Sequence, residues 1–178
     1  ISIVVLWKCE KCIRESYNIK ALSIEADISG EKSLEYIESA LYLIEHYVNV
    51  EDAVKGLEFS KNVLKSLKKA KIVEEKNALS TVEEDYYYEG LLLRFIGDFY
   101  QMSGKNDKAI KSVLQAIKIY DENGLNPSKE YGAFLASLGG FYNKTSNLPV
   151  AEELFLQAID MFERLDGFNE EFIAATKT

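Results

Sequence analysis

The chain has 178 residues, 47% hydrophobic and 28% charged, an ordinary composition for a soluble globular protein with room for a continuous core. Its net charge of −8, from 21 basic and 29 acidic residues, disfavours the phosphate backbone of a nucleic acid as the main partner. The two prolines, Pro127 and Pro149, both come late, so most of the chain is open to long helices.

Residue 1 is isoleucine, which is the expectation for a processed or truncated product, and no signal peptide can be defined from it. The apolar opening Ile1 to Trp7 is seven residues long, whereas a membrane span needs about 20. Val5, Cys9, Cys12, Ile13, Tyr17 and Ala21 recur at three- and four-residue steps and predict a first helix over about 3–27, closed at Ser29-Gly30. A second is expected over about 32–48, with Ile37, Leu41 and Ile44 on one face. A third is expected over about 51–75, with Val54, Leu57, Val63, Leu64 and Leu67. The basic stretch Lys61 to Lys71 reads as a solvated helix face, because Glu74 and Glu75 follow it.

Ser80-Thr81-Val82-Glu83 has the pattern of a capping box and opens a fourth helix over about 81–103. A turn at Ser103 to Asp107 leads to a fifth over about 107–122. Asn123 to Pro127 ends it, with Gly124 suited to a positive φ and Pro127 opening a sixth over about 128–145. Pro149 fits the first turn of a seventh over about 148–165, and a short tail helix follows from Asn169. Tyr86 to Tyr88 are strand-like in composition, yet they sit inside a period-four segment and read as helix.

The most informative feature is a repeat. Leu114-Gln115-Ala116-Ile117 returns unchanged as Leu156-Gln157-Ala158-Ile159, a step of 42 residues. The same step relates Leu93 to Leu135, Gly97 to Gly139, Phe99-Tyr100 to Phe141-Tyr142, and Ala109 to Ala151. A fixed period of this length marks units that bury their apolar faces on their neighbours. The spacing of Leu93, Ile96-Gly97, Tyr100, Gly104, Ala109, Val113 and Ala116 resembles the tetratricopeptide repeat. So does that of Leu135, Leu138-Gly139, Tyr142, Ala151, Phe155 and Ala158. The long step is similar to the kinesin-light-chain type, although the paired asparagines of that subgroup are absent from the first helix. The signature tryptophan is leucine in both units, and the late proline position holds Asp121 and Glu163. A degenerate earlier unit aligns through Ile37, Leu41, Ile44, Ala53, Leu57 and Ser60.

This resemblance implies an all-α, right-handed solenoid of antiparallel helix pairs, about seven helices in all. Residues 1–80 would hold the degenerate unit, and 81–178 the two clear units with a short capping helix, in one continuous solenoid. Gly97 and Gly139 should sit where helices touch.

Chemistry-bearing patterns are sparse. Cys9-Glu10-Lys11-Cys12 places two thiols one turn apart, but the chain has no other cysteine and one histidine, His46, so four zinc ligands are lacking. The pair reads as core-facing small residues, with a half metal site completed from elsewhere as the alternative; two cysteines are compatible with a reducing intracellular compartment. His46, beside Glu45 near a helix end, reads as a capping or surface residue. Acidic groups at Glu83-Glu84-Asp85, Glu152-Glu153 and Glu170-Glu171 fall at helix starts, where they stabilise the N-terminus. No phosphate-cradling loop or serine elbow is present, and Gly139-Gly140 reads as a helix-packing pair. The expectation is therefore no catalytic residue, metal or cofactor.

In the family, the concave face of the first helices holds extended or helical peptides. Carried across, that implies Arg94, Asp98 and Gln101 in one unit, Ala136, Gly140 and Asn143 in the next, and Glu38, Tyr42 and Glu45 in the degenerate one. Asp98 stands where chaperone-tail grooves have asparagine and would repel a terminal carboxylate. Three acids against one cation, Arg94, favour a partner protein or peptide with basic side chains and apolar anchors, with Tyr42 as an aromatic anchor. The expected function is a noncatalytic scaffold, adaptor or assembly subunit, with no nucleic-acid partner and no membrane insertion by this stretch. The alternatives are a peptide-sensing regulator or enzyme-associated repeat domain whose working domain lies elsewhere, and a structural subunit of a large complex.

Overall fold

The structure is a computed structural model that describes residues 3–31, 33–77 and 82–165. All regular structure in these residues is helical: α1 (Ile3–Ile28), α2 (Leu34–Asn49), α3 (Ala53–Asn77), α4 (Val82–Met102), α5 (Asn106–Glu122), α6 (Lys129–Lys144) and α7 (Leu148–Arg164). The chain divides into two compact units, Ile1–Ser80 and Thr81–Thr178. The capping box rests on Ser80 and the tail helix on residues after Asn169; both lie outside the described residues.

In the second unit, α4 packs along α5 and α6 along α7, while α5 and α4 also meet α6. Each hairpin turns in three residues, 103–105 and 145–147, so its two helices run antiparallel. The 42-residue step is visible in the turns. Lys105 N donates to Tyr100 O at 2.8 Å, and Asn147 N to Tyr142 O at 2.9 Å. Gly104 takes φ +71° in the first turn and Ser146 φ +61° in the second.

Small residues let the paired backbones close. A Cβ on Gly97 would lie 2.9 Å from Val113 Cγ2 and 3.2 Å from the Ala109 carbonyl oxygen. A Cβ on Gly139 would lie 2.9 Å from the Phe155 ring and 3.3 Å from the Ala151 carbonyl oxygen. The structure adds a second pair of glycines, on the same step but ahead of the stretch that resembles the family. Gly90 and Gly132 stand one step apart, and a side chain on either would run into the ring of Tyr120 or Phe162. Both rings are fully buried. Tyr120 keeps its hydroxyl satisfied by donating to the Tyr87 carbonyl at 3.1 Å, and its ring meets Phe134 edge-on at 4.8 Å. Burial pushes its phenol far above the ordinary range.

Sequence expectation needs correction at Gly140, Pro127 and Val54. Gly140 has nothing within 4 Å of its Cβ position, so only Gly139 of the pair packs. Pro127 does not open α6; Ser128 caps that helix, its hydroxyl accepting from Tyr131 N at 3.2 Å. The proline stands one place earlier, in the connection, where Asn126 and Tyr131 both donate to the Asp121 carboxylate at 3.1 and 3.3 Å. Burial of the ring and that hydrogen bond raise the Tyr131 phenol to about 12. The third correction is Val54, which is 77% exposed on α3 because the buried stripe there runs through Ser60, Val63 and Leu67.

In the first unit, α2 packs on α1 and on α3. Ser33 caps α2 by accepting from Tyr36 N at 3.1 Å, and Gly30 takes φ +86° in the connection before it. Ile37, Ala40, Leu43 and Ile44 fill the core, with Leu22 from α1. The apolar face read for α1 is its solvent face: Ile13 is 50% and Tyr17 71% exposed, and Cys12 and Ala21 are exposed as well. The helix instead turns Leu22 inward and uses the carboxylate of Glu15. Glu15 accepts from Tyr47 of α2 at 3.3 Å and from Lys55 of α3 at 2.8 Å, tying three helices through one side chain. Ser60, at the position of Ala116 in the later unit, is fully buried and donates its hydroxyl proton to the Gly56 carbonyl at 2.7 Å.

Candidate partner-binding face

The first helices of the two clear hairpins, α4 and α6, are tied together at one end. Tyr87 of α4 donates to Glu130 of α6 at 3.4 Å. Beside this tie an open depression of about 330 Å³ is lined by Leu91 and Arg94 of α4, by Lys129, Glu130, Ala133 and Ser137 of α6, and by Phe162 beneath. Its floor is apolar because Leu135, Ala158 and Phe162 form a buried cluster on which Tyr131, Ala133 and Ala136 pack.

Arg94 is held in place. Its guanidinium donates to Asp98 at 3.0 Å, one turn along the helix, and lies 4.1 Å from the centre of the Phe95 ring. Burial raises the Asp98 carboxyl above the usual carboxylate range, and the Arg94 charge opposes that shift. The pair presents hydrogen-bonding groups held in a fixed geometry. Gln101 continues the α4 face half-buried. On α6, Ala136 is half-buried, Gly140 is open above its Cα, and Asn143 is exposed.

Glu38, Tyr42 and Glu45 share one face of α2 in the first unit. All three lie on its outer side, Tyr42 exposed by 69%. The sequence alone makes Arg94 the sole cation of the face; Lys129 also lines the depression. It escapes sequence reasoning because it occupies the first helical position of α6, ahead of the stretch that resembles the family. Glu130, Leu91, Ala133 and Ser137 escape with it. Leu91, Ala133 and Ser137 each lie three or four residues from a named face residue, which is the helical signal that could find them.

A second depression of about 430 Å³ lies in the first unit, lined by Lys11, Cys12, Glu15, His46, Asn49, Val50 and Glu51. His46 sits in the last turn of α2 as expected, yet it is buried, 5% exposed, and is no surface residue. Desolvation lowers its pKa; Glu15 opposes this, while Arg14, Lys11 and Lys55 add to it, so the imidazole is neutral at pH 7. Cys12 is a free, exposed thiol, which corrects the core-facing reading; the side chain of Cys9 lies outside the described residues. Among the described residues no group of three His, Cys, Asp or Glu is placed to hold a metal ion, and no helix is long and apolar enough to cross a membrane.

Neither a family model nor a curated protein matches the sequence. Among solved structures, BtubC (BKLC) from P. vanneervenii is similar over 93% of this chain at 19% identity, with a TM-score of 0.73. The fold is a TPR-like helical repeat. This chain covers 62% of the BtubC chain. Two structures of putative kinesin light chain TPR-like repeats from Podosopora anserina, one of them a point variant, match over 87% of this chain and 88% of theirs. Their identities are 13% and 14% and their TM-scores 0.38, too loose a superposition to carry an argument.

Proposed function

We propose that this protein is a noncatalytic interaction scaffold that takes a segment of a partner protein on the α4/α6 face. The observation that carries the reading is the bareness of that face at Gly140. A glycine in a helix interior costs roughly 0.5–1 kcal/mol relative to alanine. Packing justifies that cost at Gly139, whereas Gly140 has nothing within 4 Å of its Cβ position. The neighbouring Ala133, Ala136 and Ser137 are also small, so a partner backbone can approach α6 closely.

The chemistry of the occupant follows from the lining. The apolar floor over Phe162 takes an aliphatic or aromatic anchor. Glu130 and Asp98 accept hydrogen bonds, and Arg94 and Lys129 donate to carbonyl oxygens of an extended segment. The charge of −8 attracts segments carrying basic side chains over longer range. Glu38, Tyr42 and Glu45 of α2 contribute a second, acidic and aromatic patch for the same partner or another.

Affinity purification with mass spectrometry identifies the partner, and binding is then measured as a function of salt. Replacing Asp98 and Glu130 with lysine should weaken binding and flatten its salt dependence, with helicity intact. Unchanged binding in that variant, or turnover of a substrate by this chain alone, would sink the proposal.

A further inference from the structure

The second helices of the two hairpins carry an outward face that the α4/α6 site does not use. On α5 the inward side is Ala109, Val113, Ala116 and Tyr120, all fully buried. About half a turn away lie Lys111, Leu114 and Lys118, all exposed. The equivalent positions of α7 are Glu153, Leu156 and Asp160; Glu153 and Asp160 are exposed, as is Leu156.

Two features of this face go beyond what the core requires. Leu114 and Leu156 are 45% and 60% exposed, yet leucine followed by glutamine is kept unchanged across the repeat step. The charges beside the leucines are inverted across the same step: Lys111 becomes Glu153, and Lys118 becomes Asp160. The contacts these groups make run along their own helices. Lys118 pairs with Glu122 at 3.6 Å, Arg164 with Asp160 at 3.2 Å, and Gln157 donates to Glu153 at 3.2 Å. Exposed pairs of this kind are weak and exchange readily for better ones.

We propose that the α5/α7 face binds a second copy of this chain about a two-fold axis that runs along the helices, with α5 of one copy parallel to α7 of the other. In the register of the repeat step, Leu114 lies opposite Leu156 of the second copy and Gln115 opposite its Gln157. The same register brings Lys111 to Glu153, Lys118 to Asp160 and Glu122 to Arg164 of the second copy. Asp107 falls opposite Pro149, so these charges meet no like charge across the helices. The two-fold makes every contact twice, as an isologous interface requires. Exposed leucines from both helices meet at the centre. The other face-to-face two-fold, with α5 antiparallel to α5 and α7 to α7, would oppose like charges, so the charges select the first.

Analytical ultracentrifugation of the whole chain tests this, with circular dichroism to verify folding of each variant. All substitutions lie on an exposed helix face, where loss of fold is not expected. At low salt the wild type should reach twice the monomer mass as concentration rises, and added salt should return it to monomer. K111E with K118E makes both helices acidic, and E153K with D160K makes both basic. Each variant alone should self-associate roughly tenfold or more weakly than the wild type. Mixed one to one, the two variants should form a heterodimer. A wild type that stays monomeric at low salt, charge variants that associate as the wild type does, or a mixture that fails to pair would each overturn the proposal. None of these outcomes bears on the α4/α6 face.

Discussion

The two units of the chain solve the same packing problem with different chemistry. In the second, helices close because side chains are missing: Gly90, Gly97, Gly132 and Gly139 each leave room that a neighbouring ring, methyl or carbonyl fills. In the first, one polar side chain joins three helices: Glu15 gathers Tyr47 and Lys55. The Ser60 hydroxyl, turned onto its own helix, and the imidazole of His46 are buried there as well. Close backbone approach maximises dispersion contact and tolerates no added volume. A polar tie tolerates volume but depends on protonation and salt. The two units should therefore fail under different insults.

The largest effects should come from adding volume to the second unit. Gly97→Leu should cost roughly 1–3 kcal/mol or more, and Gly90→Leu at least as much, because the displaced Tyr120 ring is fully buried and its hydroxyl would lose the Tyr87 carbonyl. Urea denaturation followed by circular dichroism measures both; an unchanged midpoint would mean that the helices are not held at these glycines.

Removing the polar tie in the first unit should have a smaller effect. Glu15→Ala should cost about 1 kcal/mol, since the Lys55 partner is largely solvent-screened and the Tyr47 hydrogen bond is half-buried. High salt should lessen the difference between Glu15→Ala and the wild type. Salt should leave the difference between Gly97→Leu and the wild type unaltered.

Adjacent glycines give a contrast of sign. Gly139→Ala should destabilise, because its Cβ would press on the Phe155 ring and the Ala151 carbonyl. Gly140→Ala should stabilise by roughly 0.5–1 kcal/mol, since its Cβ meets open space and alanine is the better helix former. Equal shifts of the same sign would remove the argument that Gly140 serves the surface.

The smallest effect is one of pH, confined to the first unit. The folded pKa of His46 lies below its ordinary value of 6.5, so the unfolded chain takes up the proton first. Stability from the neutral imidazole is complete above pH 6.5 and declines as pH falls from there toward the folded pKa. Melting curves of the wild type and His46→Gln across this window should diverge in slope, and parallel slopes would count against a buried, neutral His46.

The same contrast explains what is legible in the sequence. The 42-residue step exposes Gly97, Ala109 and Ala116, because a small residue recurring in register has few explanations besides close packing. Helix bounds follow from turn residues to within about two positions. The polar ties are invisible there: Glu15 meets partners 32 and 40 residues away, and nothing local in a Glu, a Tyr and a Lys marks them as joined. The face of α1 reads backwards for a related reason. Its apolar residues are spread around the helix, so three- and four-residue steps through some of them do not mark the side that faces the core. Gly90 and Gly132 recur on the same step but lie ahead of the stretch that resembles the family, and the ring each accommodates lies 30 residues on, on the other helix of its hairpin. Of the proposed face, Arg94, Asp98 and Gly140 come from the family resemblance, and Lys129 and Glu130 only from the fold.

The most direct test of the account is to fill the α4/α6 face without disturbing what lies beneath it. Gly140→Trp puts a large side chain into open space on that face, with Val54→Trp, exposed on α3 and part of neither proposed face, as the control. Isothermal titration of the purified partner should show binding to the Val54 variant and the wild type alike, and a loss of roughly tenfold or more for the Gly140 variant. Wild-type affinity in the Gly140 variant, with its melting temperature preserved, would contradict the assignment of the partner to this face.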